Sequence, residues 1–75
     1  MVAVTRAKTD LGKWAPHRIR KFREDQGWSD VRLAAEVGVS VDAVRNWESG
    51  KNEPGASNLI GLVRALACRL EDLTE

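Results

Sequence analysis

Residues 29–50 read SDVRLAAEVGVSVDAVRNWESG, a sequence that predicts two short helices joined by a three-residue turn. Ser29 and Ser40 each suit the N-cap of a helix, since a serine oxygen accepts a hydrogen bond from a first-turn backbone N–H. Gly38 suits a helix end, because glycine adopts positive φ without a steric penalty. The turn Gly38-Val39-Ser40 is too short for antiparallel helices, so we predict two helices that cross at a steep angle.

The two helices need small and apolar side chains where they cross. Ala34 supplies the small residue, and the third helix, from Val41 to about Glu48, closes at Gly50. Apolar residues at helical spacing supply the buried face of the pair: Leu33, Val37, Val39, Val44 and Trp47. The spacing of the aromatic side chains Phe22, Trp28 and Trp47 favours core packing over base stacking.

The flanking sequence predicts three more helices. Pro16 suits the first position of a helix that runs to Asp25, with Gly27 as its stop. After a loop at residues 51–55, apolar residues recur every three or four positions, which predicts a fourth helix from about Ser57 to Ala67. A short fifth helix follows, and no strand is predicted. The apolar residues of these last two helices are Leu59, Leu62, Val63, Leu66, Leu70 and Leu73.

The first residues lack this periodicity. We therefore divide the chain into a flexible N-terminal arm, residues 1–15, and one helical domain, residues 16–75. Trp14 is the exception within the arm, because it could cover apolar surface of the domain. Arg6 and Lys8 allow two interpretations: they contact a minor groove, or they belong to an unstructured tail.

Composition excludes several classes of protein. The chain has 75 residues, with one cysteine, Cys68, and one histidine, His17, so an intramolecular disulfide or a zinc site built from these residue types is not expected. No nucleophile and base pair or phosphate-binding loop is recognisable, and we predict no enzymatic activity, cofactor or metal. Without an apolar run of about 20 residues or a secretory signal, we expect no membrane association and a cytoplasmic location.

Charge is distributed unevenly along the chain. Residues 1–26 hold seven Lys/Arg against three Asp/Glu, whereas residues 27–50 hold two against four. The formal net charge of the chain is only +1. Any long-range attraction to phosphate is therefore concentrated in the N-terminal third.

The helix pair resembles the helix-turn-helix of phage repressors, Cro proteins and their bacterial relatives. Seven residues fall where that motif has an apolar, small or glycine residue: Leu33, Ala34, Val37, Gly38, Val39, Val44 and Trp47. The resemblance runs from about Arg18 to Thr74. It implies an all-α, compact five-helix lambda-repressor-like domain whose helices 2 and 3 form the DNA-binding unit.

The resemblance also implies which side chains meet DNA. In this family the second helix of the pair, here about residues 41–48, enters the major groove. Val44 and Trp47 are expected to face inward, which leaves four residues outward: Val41, Asp42, Arg45 and Asn46. Val41 would contact a thymine methyl, and Asn46 would bond to adenine. Arg45 would bond to guanine or phosphate, and Asp42 would accept from cytosine or only complement the helix dipole.

Further residues are assigned by the same resemblance. Asp30 and Ser40 begin the two helices and are expected near the DNA backbone, although Asp30 stands where many relatives carry an uncharged polar residue. Lys51 and Asn52 are expected to hold phosphates. Arg23 and Glu48 match a family ion pair that joins the first helix to the third.

These features predict a sequence-specific, double-stranded DNA-binding transcriptional regulator, a repressor or a Cro-like switch protein, associated with the nucleoid of a bacterial or phage-infected cell. We expect a homodimer, paired through helices 4 and 5, on a pseudo-palindromic operator. The alternative is a protein-interaction module of the same fold, antitoxin-like or polymerase-binding, which the acidic balance of residues 27–50 favours.

Overall fold

The computed structural model describes residues 14–74, and in this range the chain forms four α-helices and one short 3₁₀ helix. The α-helices are α1 (Pro16–Asp25), α2 (Asp30–Val37), α3 (Val41–Ser49) and α4 (Ala56–Leu66). The prediction of an all-helical domain is confirmed. The helix ends lie within one residue of those predicted, and α4 stops at Leu66 because Ala67 turns to a left-handed φ of 54°.

The predicted count of five helices is wrong. The last segment, Leu70–Leu73, is a single 3₁₀ turn rather than a fifth α-helix. Arg69 and Thr74 on either side of it are both extended, so only four residues are left for the turn. The backbone N–H of Asp72 donates to the carbonyl of Arg69 at 2.9 Å, the three-residue step of a 3₁₀ helix.

The hydrophobic core forms where the helices meet. Helix α1 packs against α3 and the 3₁₀ helix, whereas α2 packs against α3 and α4. Trp47 is buried, and Phe22 and Trp28 pack against the core, in agreement with their predicted core role. The largest fully buried side chains come from all five elements: Ile19, Leu33, Val44, Leu62, Leu66 and Leu73.

The six apolar C-terminal residues divide between this core and the surface. Leu62, Leu66 and Leu73 are at most 2% exposed and are not available to a partner. Leu70 is 48% exposed, and Ile60, which the sequence analysis did not single out, is 52% exposed. The apolar excess near the C-terminus is therefore smaller than the sequence suggested, and its surface part lies on one side of α4.

The segment before α1 is joined to the end of the domain. Ala15 is buried, and its backbone N–H donates to the carbonyl of Leu73 at 3.0 Å. Trp14 forms an isolated antiparallel bridge with Thr74 and packs against the core. Residues 14 and 15, which we assigned to the arm, thus pack with the domain, whereas the flexible arm predicted for residues 1–13 lies outside the described residues.

A separate property concerns membranes. Within residues 14–74, none of the helices combines the length and the hydropathy that crossing a bilayer requires.

Candidate nucleic-acid interface

Three local contacts define the ends of α2 and α3. The hydroxyl oxygens of Ser29 and Ser40 cap the two helices, accepting from the backbone N–H of Arg32 at 3.0 Å and of Ala43 at 3.1 Å. Gly38 has φ +86°, and its N–H donates to the carbonyl of Ala34 at 2.8 Å. Gly38 ends α2 and Ser40 starts α3 within three residues, which restricts the angle between the helices, whereas Ser29 caps the start of α2.

The outer side of α3 carries the side chains that the sequence analysis selected. Val44 and Trp47 are buried beneath it. Val41 and Asn46 are partly exposed, and Asp42 and Arg45 are exposed. The four candidate reading residues therefore lie on the outside of one short helix, and their contact with bases stays a prediction.

One contact at this surface was not predicted. The Arg45 Nε–H donates to Asp30 Oδ2 at 2.8 Å, which links the outer side of α3 to the first turn of α2. The hydrogen bond from Arg45 lowers the pKa of Asp30, so the carboxylate is charged at neutral pH. An acidic and a basic residue on two helices predicted to cross steeply could have suggested this ion pair from the sequence. Asp30 and Arg45 are 15 residues apart, however, and no local spacing rule pairs them.

The loop after α3 folds back onto the end of that helix. Gly50 takes φ +83°, and the backbone N–H groups of Lys51 and Asn52 both donate to the carbonyl of Asn46, at 2.9 and 3.2 Å. The side chains of Lys51 and Asn52 are exposed. A cationic and an amide side chain are thus exposed directly after the end of α3.

Beneath this surface, Arg23 of α1 and Glu48 of α3 form a bidentate ion pair. The Arg23 Nε and Nη2 groups donate to the two carboxylate oxygens at 2.7 and 3.0 Å, and each side chain is 11% exposed. Nη1 of Arg23 also donates to the carbonyl of Trp28 at 2.8 Å. The hydrogen bond to Glu48 raises the pKa of Arg23. The pair ties α3 to α1, as the resemblance implied.

The outer side of α3 offers groups that can donate and accept hydrogen bonds and make apolar contacts. Within residues 14–74, His, Cys, Asp and Glu side chains form no cluster that could hold a metal ion. What the described residues present is a short helix with amide, guanidinium, carboxylate and apolar side chains on its outer side. Such groups suit the donors, acceptors and methyl groups of base edges.

Comparison with known proteins places the chain among related sequences. A family model described as "Helix-turn-helix" matches residues 19–73. The repressor protein C2 of Salmonella phage P22 is 39% identical over 51 residues, which are 68% of this chain but 24% of that protein, so the chain spans about a quarter of this relative. An uncharacterized HTH-type transcriptional regulator of Archaeoglobus fulgidus is 36% identical over 56 residues, 75% of this chain and 80% of that protein.

A solved structure supports the same comparison. The crystal structure of the P22 c2 repressor in complex with a synthetic operator superimposes with a TM-score of 0.77 and 35% identity. The superposition covers 80% of this chain and 91% of that chain. The helices of this chain are therefore arranged similarly to those of a repressor solved with a synthetic operator.

Proposed function

Because the chain belongs to the helix-turn-helix family whose model matches residues 19–73, we propose that it is a transcriptional regulator that binds double-stranded DNA in a sequence-specific manner. This proposal rests on the outer side of α3. The helix follows a three-residue turn and exposes polar and charged side chains, whereas Val44 and Trp47 on its inner side are buried. In helix-turn-helix proteins the second helix of the pair enters the major groove.

Side chains of α3 have distinct roles in this proposal. Asn46 reads adenine, Val41 contacts a thymine methyl, and Asp42 accepts from cytosine N4 or only complements the helix dipole. Arg45 donates to guanine. Each role matches the hydrogen-bonding groups that the base exposes in the major groove.

The neighbouring residues bind the DNA backbone. Lys51 and Asn52, both exposed beside the end of α3, contact phosphates. Ser40 lies at the N-terminus of α3, where backbone N–H groups favour an anion. Asp30 was assigned to the same role by its place at the start of α2, but its carboxylate is bonded to Arg45. In this proposal Asp30 lies near the DNA as the partner of Arg45.

We further propose that the regulator acts as a homodimer on a pseudo-palindromic operator. Four residues of α4 and Leu70 line an open apolar cavity of about 280 Å³: Ala56, Leu59, Ile60, Val63 and Leu70. We propose that two copies associate through these apolar side chains, of which Ile60 and Leu70 are about half exposed. A symmetric pair would present two copies of α3 to half-sites roughly 34 Å apart, one turn of DNA.

Regulation by DNA binding needs no catalysis, and the proposed place of action is the cytoplasm, at the nucleoid. The alternative is a module of the same fold that binds another protein instead of DNA. The excess of acidic residues between positions 27 and 50 favours it, because acidic groups are repelled by phosphate.

Salt dependence of DNA affinity separates the two functions. Selection from a random library of duplexes supplies the operator, and its affinity is then measured at about 50 and 200 mM salt, where phosphate-dependent binding weakens by roughly 10³-fold for six or more contacts. A steep loss supports the regulator. Failure to retain any duplex at the lower salt concentration contradicts it and favours the protein-binding module.

A further inference from the structure

The ion pair between Asp30 and Arg45 spans the two helices of the proposed DNA-binding unit. Asp30 lies in the first turn of α2, and Arg45 lies on the outer side of α3. Arg45 Nε and Asp30 Oδ2 lie 2.8 Å apart. This ion pair joins a candidate reading side chain of α3 to α2. The side chain most suited to reading guanine is therefore held by a neighbour before any DNA is present.

The geometry leaves part of the guanidinium group available. The bond to Asp30 uses Nε, whereas the Nη groups have no hydrogen bond to another described residue. The Arg45 side chain is 62% exposed, and that of Asp30 is 27% exposed. The carboxylate is thus the more sheltered partner, and more than half of the Arg45 side chain is open to solvent.

We propose that Asp30 is a positioning residue that holds Arg45 so that its Nη groups read a guanine in the major groove, an inference that rests on the proposed function. Guanine presents two acceptors there, O6 and N7, which match two N–H donors at the end of a planar guanidinium. A side chain already held in place loses less rotamer freedom on binding. Asp30 thereby contributes to base specificity without touching a base.

Electrostatics favours guanine over phosphate as the ligand of this pair. The Asp30 carboxylate and the Arg45 guanidinium together carry no net charge, so the attraction that a free arginine has for phosphate is largely cancelled. The pKa of Asp30 is lowered by the bond, which keeps the carboxylate charged. The carboxylate repels a charged phosphate, but the edge of guanine carries no net charge. The two acceptors of guanine can therefore still accept from the Nη groups.

We expect loss of the Asp30 carboxylate to affect affinity and specificity differently. Asp30→Asn removes a negative charge near the phosphates, so affinity for unrelated duplexes should rise or stay equal. Preference for guanine at one position of each half-site should fall, because Arg45 is no longer held. A residue with only a structural role would change neither quantity, or would lower both with the melting temperature.

The experiment measures binding of the selected operator with each of the four base pairs placed in turn at every half-site position. Wild type should prefer guanine at one position by about 5- to 150-fold. Asp30→Asn should lower that preference at least about threefold, and Arg45→Ala should abolish it. In the double variant Asp30→Asn with Arg45→Ala, the loss should equal that of Arg45→Ala alone, because Asp30 acts through Arg45.

A matched control is Glu36→Gln, which removes one negative charge from the same helix. Glu36 is bonded to Arg32 at 2.9 Å within α2 and does not contact α3 through an ion pair. Its loss should leave every base preference unchanged, and melting followed by circular dichroism checks that each variant is folded.

Three results would overturn the inference: unchanged guanine preference in Asp30→Asn, an equal change at all positions, or guanine preference that survives Arg45→Ala. Its failure is distinguishable from failure of the proposed function. A wild-type chain that binds all duplexes alike contradicts DNA sequence recognition itself, and the inference is lost with it.

Discussion

Arg23 and Glu48 join α1 to α3 through two hydrogen bonds, of 2.7 and 3.0 Å, at a place where each side chain is only 11% exposed. The carboxylate accepts from both Nε and Nη2, and Arg23 also donates to the carbonyl of Trp28. The pair thus contributes to the orientation of α3 relative to α1, and α3 is the helix that carries the candidate reading residues.

Glu48→Ala should lower the free energy of unfolding by about 3 kcal/mol, since removal of one partner leaves a largely buried charge unpaired. Denaturation by urea measures the change. The matched control is Glu24→Ala, which breaks an exposed pair with Arg20 one turn away on α1. That substitution should cost no more than about 0.5 kcal/mol. Equal losses in the two variants would contradict a structural role for the buried pair.

Gly38 should resist substitution because of its backbone conformation. Its φ is +86°, and a Cβ added there would meet no atom within 4 Å, so strain in the backbone and not a clash sets the cost. Gly38→Val should destabilise by at least about 1–2 kcal/mol. Gly38→Asn is the control and should cost less, since asparagine tolerates the left-handed region. Thermal melting that ranks valine equal to or above asparagine would refute this explanation.

The sequence predicted the α2–α3 unit because its signals are local. Ser29, Gly38 and Ser40 each act on the backbone within a few residues, and the expected caps and left-handed turn are present. Residue spacing also separated the buried Val44 and Trp47 from the outer side of α3. These features depend on helix geometry, which the chain specifies over short distances.

What the sequence did not predict depends on contacts between distant segments. The bond between Asp30 and Arg45 exists only because α2 and α3 cross at a particular angle. Ala15 is buried, and its N–H donates to the carbonyl of Leu73, near the other end of the chain. The last element is one 3₁₀ turn between the extended residues Arg69 and Thr74, whereas the leucine spacing alone suggested a helix.

Asn46 and Lys51 should affect DNA binding in different ways. Asn46→Ala should cost roughly 1–3 kcal/mol of binding to the selected operator and much less on a scrambled duplex, because a base contact is lost. Lys51→Ala should weaken binding to both duplexes alike and reduce the slope of log affinity against log salt by about one. Fluorescence anisotropy titrations at several salt concentrations measure both effects. Identical behaviour of the two variants would contradict the division between base and phosphate contacts.

Self-association should depend on the apolar cavity of α4. Ile60→Glu and Leu70→Glu introduce a charge at positions where the native side chains are 52% and 48% exposed. Each substitution should therefore weaken the dimer while preserving the fold. Val31→Glu is the control, because Val31 is 57% exposed but does not line the cavity. Analytical ultracentrifugation measures the change. Leu73→Glu is not a valid test, since that side chain is fully buried and its substitution would unfold the domain.

Wild-type protein without DNA should show a weak monomer–dimer equilibrium that shifts to the dimer on the full operator, because the duplex holds both copies. One copy per full operator, or a dimer that tolerates both glutamate substitutions as well as it tolerates Val31→Glu, would show that this surface is not the interface.

In the proposed function, α3 recognises a specific DNA sequence. The most direct test is the ratio of affinities for the selected operator and for a scrambled duplex of equal length and composition, measured in competition at one moderate salt concentration. Sequence-specific recognition predicts a ratio on the order of 10³ or more, which should fall toward one when Arg45 and Asn46 are both replaced by alanine. A wild-type ratio near one would contradict the account.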